Sequence, residues 1–209
     1  MLSLPQARFE ETLLVDYRST VSTQVTHVRA GVLVTSLQSL KHAGHFERYL
    51  AELDVAYHEQ VQFALAATWL PLEVCMAHLR ALDGLALPES FVSHSGESVG
   101  RDFGKMIYTA VMKTTRSVGA NAGWFLLRQC ERLMQRVYMG GGCTLLQTGP
   151  KDAVLELHGL PMVSSRFFRL SHHAYMNELG RMMGTGAYVR ATRPRGRHLG
   201  SIATSFSWV

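Results

Sequence analysis

A chain of 209 residues, 47% apolar and 18% charged, can bury a real core; this excludes a disordered chain and one that needs disulfide staples. The net charge of +5 sits in the C-terminal part, because residues 1–149 hold 13 basic and 13 acidic groups while residues 150–209 hold eight and three. The three cysteines, Cys75, Cys130 and Cys143, are an odd count without a C-x-x-C pair, which reads as reduced and cytoplasmic. Glu10, Glu11 and Asp16 make the start unlike a secretory signal, and the nearly uncharged stretch from Gln60 to Leu72 is too short for a bilayer, which takes about 20 residues.

Residues 1–27 read as a polar extension whose apolar knot, Thr12-Leu13-Leu14-Val15, is either a short strand or a docking segment. A single α+β domain is expected over residues 28–209. Val28 to Leu37 is β-branched and reads as strand or strand-to-helix. From Ser36 to Leu53 the apolar residues recur at three- and four-residue steps, the period of a helix. Pro71 opens a further helix that ends at Asp83-Gly84. The next is expected over Glu97 to Ser117, with Val99, Phe103, Met106, Ile107, Ala110 and Val111 as its stripe. Asn121 caps a helix with Trp124, Leu127, Cys130, Leu133, Met134 and Val137 on one face.

After Gly140-Gly141-Gly142 the period changes to two. Cys143–Gln147 and Ala153–His158 read as strands around a turn. A helix over Arg166–Met183 follows, then a hairpin of Tyr188–Thr192 and Ser201–Trp208. In its last strand Ile202, Thr204, Phe206 and Trp208 share a face. The expected fold is an N-terminal helical block packed on a C-terminal four-stranded antiparallel ββαββ sheet.

Several motifs carry a chemical reading and a plainer one. Gly96-Glu97-Ser98-Val99-Gly100 has the letters of a nucleophile elbow, which needs a strand before the serine; Ser90–Ser95 is a weak strand, and the plainer reading is a helix start capped by Ser95 or Ser98. His172-His173 are adjacent on a helix and diverge by about 100°, so they cannot ligate one metal as i, i+4 histidines do. His27, His42, His45, His78 and His94 are scattered singles. Cys130, on an apolar stripe, reads as a buried inert thiol, and nothing near Cys143 marks it as a nucleophile. The three glycines follow a helix and precede a strand, the reverse of a phosphate cradle.

Arg190, Arg193, Arg195 and Arg197 crowd one segment around Pro194 and Gly196. Arg193-Pro194-Arg195-Gly196-Arg197 resembles an AT-hook core, which lies in an A·T minor groove, although His198 stands where a closing proline is usual. The favoured reading is a solvated hairpin tip; a nucleic acid or other phosphate-bearing partner is the alternative.

Ser98-Val99-Gly100-Arg101-Asp102-Phe103-Gly104, Ser117-Val118-Gly119 and the final Ala203-Thr204-Ser205-Phe206-Ser207-Trp208 carry a resemblance to a family of myxobacterial proteins known by a domain-of-unknown-function label. Its pattern covers about 180 residues from Val28 onward. That family is in turn similar to the 4-vinyl-reductase and heme–nitric-oxide-binding folds, in which helices and a four-stranded antiparallel sheet enclose a small-molecule cavity. The heme-binding members hold the propionates with Tyr-x-Ser-x-Arg. Here Tyr17-Arg18-Ser19-Thr20-Val21 lacks the arginine, and His173 is the nearest candidate for an iron ligand, so heme is disfavoured as a cofactor.

The expected function is a non-catalytic signalling or regulatory module. It binds a small apolar ligand or a partner protein, with a homodimer as one form of partnership. Phe103, Ile107, Trp124, Leu127 and Tyr188 are expected to line its cavity, and no catalytic or metal-binding residue is assigned. A basic nucleic-acid binder and a heme-based sensor are the alternatives.

Overall fold

The computed structural model describes residues 9–16, 24–114, 122–183, 186–196 and 200–209; along 102–114, and at 122, it describes the backbone alone. The N-terminal half begins with strands β1 (Thr12–Val15) and β2 (His27–Arg29). Helices α1 (Ala30–His42), α2 (Phe46–Glu52) and α3 (His58–Gln62) follow, then β3 (Trp69–Pro71), α4 (Leu72–Gly84) and α5 (Glu89–Thr114). Next come α6 (Ala122–Arg128), α7 (Cys130–Val137) and β4 (Tyr138–Met139). The C-terminal half is β5 (Gly142–Gly149), β6 (Asp152–His158), α8 (Arg166–Arg181), β7 (Tyr188–Thr192) and β8 (Ile202–Ser207). The α+β class is as the sequence predicts. No helix among the described residues is long and apolar enough to cross a membrane.

The main sheet corrects the expected count: it has five strands in the order β1-β5-β6-β8-β7, all antiparallel. The fifth is Thr12–Val15, paired with Leu145, Leu146 and Gln147. A four-residue strand has too few alternations to be told from a docking segment until its partner is known. In β8 the alternation is as predicted. Thr204, Phe206 and Trp208 are buried, and Phe206 and Thr204 stand opposite Ala153 and Leu155 on the face toward the helices. β6 is central and buried on both faces. Its outer face is covered by the β7–β8 connection, where the buried Glu156 carboxylate accepts the backbone N–H groups of Arg195 (2.6 Å) and Gly196 (3.2 Å).

A second small sheet, β3-β2-β4, stitches the N-terminal helices together, with Val28 opposite Leu70 and Tyr138. The sequence does not announce it, because strands of two or three residues show no period. The helix expected from Asn121 through Val137 is interrupted at Gln129, which separates α6 from α7; Asn121 itself lies outside the described residues.

α5 departs most from expectation. It begins at Glu89, eight residues before Glu97, so Ser90–Ser95 is helix and neither Ser95 nor Ser98 caps an N-terminus. The first turn follows Pro88, whose carbonyl accepts N–H from Phe91 and Val92. Gly96 and Gly100 then fall inside a helix, at a cost of roughly 1 kcal/mol each relative to alanine. Their spacing of four puts both on one face, against α8. A Cβ on Gly96 would collide with the Ser171 carbonyl oxygen, and one on Gly100 would stand 2.7 Å from Glu178 Cβ. The glycines are there to let two helix backbones approach. α8 is tied to α4 at its other neighbour: Asp83 accepts N–H from Arg166 (3.2 Å) and Phe167 (2.7 Å), and Ser165 Oγ accepts N–H from Phe168 (3.2 Å). One continuous apolar core joins both halves, from Val25 and Leu40 to Phe206 and Trp208.

Candidate functional site

A cavity of about 120 Å³ lies where β2, α1, α4, α5, α7, β6 and α8 meet. Its lining is predominantly apolar, with Val28, Leu79, Val99, Met134, Leu157 and Met176 each from a different element. The helices supply it through their buried stripes, so its walls belong to both halves of the core.

The wall made by α1 and α4 carries a closed chain of hydrogen bonds. Ser36 Oγ donates to the Leu33 carbonyl (2.8 Å), which uses its one hydrogen. It therefore accepts from His78 Nε2 at 2.7 Å. With Nε2 protonated, Nδ1 is an acceptor and takes the Tyr49 hydroxyl at 2.6 Å. Burial pushes the His78 pKa down to about 3, holding the ring neutral, and burial raises Tyr49 above the ordinary phenol range. Ser36 and His78 form a serine–histidine pair by distance. A base that titrates near 3 accepts a proton poorly, and the serine proton is already committed to a backbone carbonyl, so the pair does not activate a nucleophile.

The wall made by α5 and α8 is different. Ser95 is 2% exposed and His172 is 8% exposed, and both line the cavity. Neither side chain makes a hydrogen bond to a described residue. The His172 ring is stacked on Phe168, with centroids 5.7 Å apart and planes at 18°, and lies tilted beside Tyr175 at 6.2 Å. Burial first, and then neighbouring His173, lower its pKa to about 4, so it too is neutral. His173 does not line the cavity; its Nδ1 is buried elsewhere with no partner among the described residues. Arg29 edges the cavity. Its guanidinium lies 3.9 Å from the Trp69 ring centre and donates to the carbonyls of Ala67 and Arg136.

Of the residues expected to line the cavity, Trp124, Leu127 and Tyr188 are placed elsewhere. Trp124 is half-buried, donates its N–H to the Pro150 carbonyl (2.9 Å) and meets Trp208 edge to face at 4.8 Å, so it fastens α6 to the β5–β6 turn. Leu127 is fully buried in the core, away from the cavity. Tyr188 is 65% exposed. It stands opposite Ser207 while Val189 stands opposite Phe206, so alternation turns it to the face away from the helices. Phe103 and Ile107 are on α5, with side chains outside the description. The stripe that reaches the cavity continues beyond Gln129 instead, through Cys130, Leu133, Met134 and Val137 of α7.

Three other motifs resolve into packing. Ser98 sits mid-helix with no strand before it. Its Oγ donates to the His94 carbonyl (2.9 Å) and accepts from Arg101, so the elbow reading fails. Cys130 and Cys143 are buried thiols that burial raises, Cys143 to about 12. In the basic segment, Arg190 and Arg193 are exposed, Arg195 pairs with Glu11 at 2.6 Å, and Arg197 lies outside the described residues. No group of three or more metal-ligating side chains occurs among the described residues.

Sequence reasoning gives Ser36, Tyr49, Ser95 and His78 no role at the site. His78 carries the one usable signal, a histidine on the apolar face of a predicted helix.

No family model matches this chain, and no curated protein matches it. Solved structures do match in shape. One is an Fe(II) unliganded H-NOX mutant from K. algicida, with a TM-score of 0.60 at 8% identity over 86% of this chain and 96% of that one. Another is an H-NOX protein from work on heme distortion in that family, with a TM-score of 0.59 at 7% identity over 86% and 94%. The unmutated K. algicida protein gives 0.57 at 7% identity over 87% and 96%. At such identities the likeness concerns architecture alone, and in architecture this chain has an H-NOX-like fold.

Proposed function

We propose that this chain is a non-catalytic sensor module whose ligand is a small apolar molecule bound in the cavity. The observation that carries the reading is the position of the cavity, since α1, α4, α5, α7 and α8 all contribute wall to it. A molecule that fits one arrangement of these helices better than another shifts the population toward it, and the surface changes with it. A predominantly apolar lining with a few polar groups is the feature of small-molecule sites.

Heme is the ligand that the fold neighbours suggest, and the residues here do not fit it. Heme is a macrocycle of several rings, and this cavity, about 120 Å³, is on the scale of the roughly 150 Å³ space that takes a single benzene ring. Both His78 nitrogens are spent on Tyr49 and Ser36, and His173 is outside. Tyr138 reaches the cavity, but Met139-Gly140-Gly141-Gly142 follows it in place of the serine and arginine of the propionate clasp. His172 has ring nitrogens without a described partner, but the cavity that it lines, about 120 Å³, is too small for a macrocycle.

Xenon and toluene test the reading as probes. Saturable binding by ¹²⁹Xe NMR, with a toluene-dependent rise in Tm, is expected. Val99→Phe, which fills the space, abolishes both. Absence of binding by either probe removes the proposal. Addition of hemin is expected to give no histidine-ligated Soret band.

A further inference from the structure

The two polar side chains left open on the α5–α8 wall narrow the ligand further, in an inference that rests on the proposed cavity function. A neutral imidazole offers one donor and one acceptor, and a serine hydroxyl offers a donor and two acceptor sites. A cavity-facing polar group that has no protein partner gains from a ligand that supplies one, and His172 and Ser95, 8% and 2% exposed, line the cavity and make no hydrogen bond to a described residue. The Ser36–His78–Tyr49 chain in the same cavity shows that this fold can saturate its polar groups internally. The contrast marks the α5–α8 wall as the place where a ligand completes the bonding.

Size and surroundings define the rest of the molecule. A 120 Å³ space compares with an engineered apolar cavity of about 150 Å³ that binds benzene. The lining rings of Phe168 and Tyr175 and the sulfurs of Met134, Met176 and Cys130 favour a flat aromatic guest. A carboxylate is disfavoured, because Arg29 already donates to two backbone carbonyls and lies on Trp69. We infer that the cavity takes a single-ring aromatic molecule bearing one hydroxyl or N–H, its polar edge bonded by His172 and Ser95 and its ring held among Phe168, Met134 and Met176.

Calorimetric titration of the full chain with phenol, toluene and benzoate separates the possibilities. In a cavity with apolar walls alone, phenol loses to toluene, because it gives up water without a replacement partner. Here phenol is expected to bind roughly tenfold tighter than toluene, with benzoate weaker than both. His172→Leu is expected to erase the phenol preference and leave toluene affinity intact, with Ser95→Ala reducing it in part. Phenol binding is also expected to shift the His172 ring nitrogen resonances of the unmutated chain, which keeps the test independent of how the variants fold. Toluene binding equal to or better than phenol overturns the inference and leaves the cavity function standing. Tighter binding of benzoate overturns it in favour of an acid held at Arg29. If neither toluene nor phenol binds, both readings fall together.

Discussion

His78 on α4 and His172 on α8 face one cavity, are both nearly inaccessible to solvent and are both kept neutral by burial. His78 spends both ring nitrogens inside the protein, and His172 spends neither on a described residue. A saturated buried network fixes side chains and helices in one arrangement, because every rearrangement breaks a bond that water cannot replace. An unsaturated group has nothing holding it but packing, and gains from any partner that arrives. The first wall is therefore fixed by its own bonding, and on the proposed reading the second is completed by the ligand. The same residue type, at similar burial, does opposite work according to its bonding.

Acid challenges both histidines at once and should produce the largest effect. The unfolded chain takes up protons at each imidazole below about pH 6.5, while the folded chain resists until about 3 at His78 and about 4 at His172. Stability is thus full above pH 6.5 and falls as the pH drops through that window. Each group contributes roughly 1.4 kcal/mol per pH unit. Urea midpoints measured between pH 6.5 and 5, where most carboxylates stay ionised, should fall steeply, and His172→Leu should halve the slope. A flat profile would contradict neutral burial of the pair.

Substitutions then separate the walls. His78→Ala removes the centre of the network, strands Tyr49 and opens a cavity, and should cost about 3–5 kcal/mol in denaturant unfolding. Gly96→Ala gains about 1 kcal/mol of helix propensity but drives a Cβ into the Ser171 carbonyl, and a net loss of about 2 kcal/mol is expected. Tyr49→Phe leaves His78 Nδ1 without its donor and should cost about 1–2 kcal/mol. His172→Leu, in contrast, removes no bond to a described residue and should change stability by less than about 1 kcal/mol. A loss at His172 as large as that at His78 would erase the distinction between the walls.

The range of each interaction decides how legible it is in the sequence. The β5–β6 and β7–β8 hairpins and the faces of α7 and β8 are local, and periods of two and 3.6 over several residues expose them. The fifth strand depends on Thr12 finding Gln147, 135 positions away, and no local pattern encodes that pairing. The letters G-x-S-x-G describe two different objects. One is a strained turn that presents a serine; the other, found here, is a pair of glycines where two helices touch, with the serine incidental. The apolar stripes that meet at the cavity are legible in the sequence, but their meeting point is not, because α6 and α7 divide at Gln129 and, of these two, α7 reaches it. The Ser36–Tyr49–His78 chain joins three helices, and such a meeting is invisible until the helices are packed.

The clasp of Asp83 on the first turn of α8 gives that helix a fulcrum. The helix runs 16 residues, about 24 Å at 1.5 Å per residue. His172 lies about two-fifths of the way along from the pinned end. On the proposed reading, a rigid tilt of the helix about that end would carry its tip near Arg181 about two and a half times as far as the position of His172. That tip rests Gly180 directly against Val189 of the exposed strand β7. The far end of α8 thus meets the outermost strand of the main sheet, the edge that such a tilt would move first.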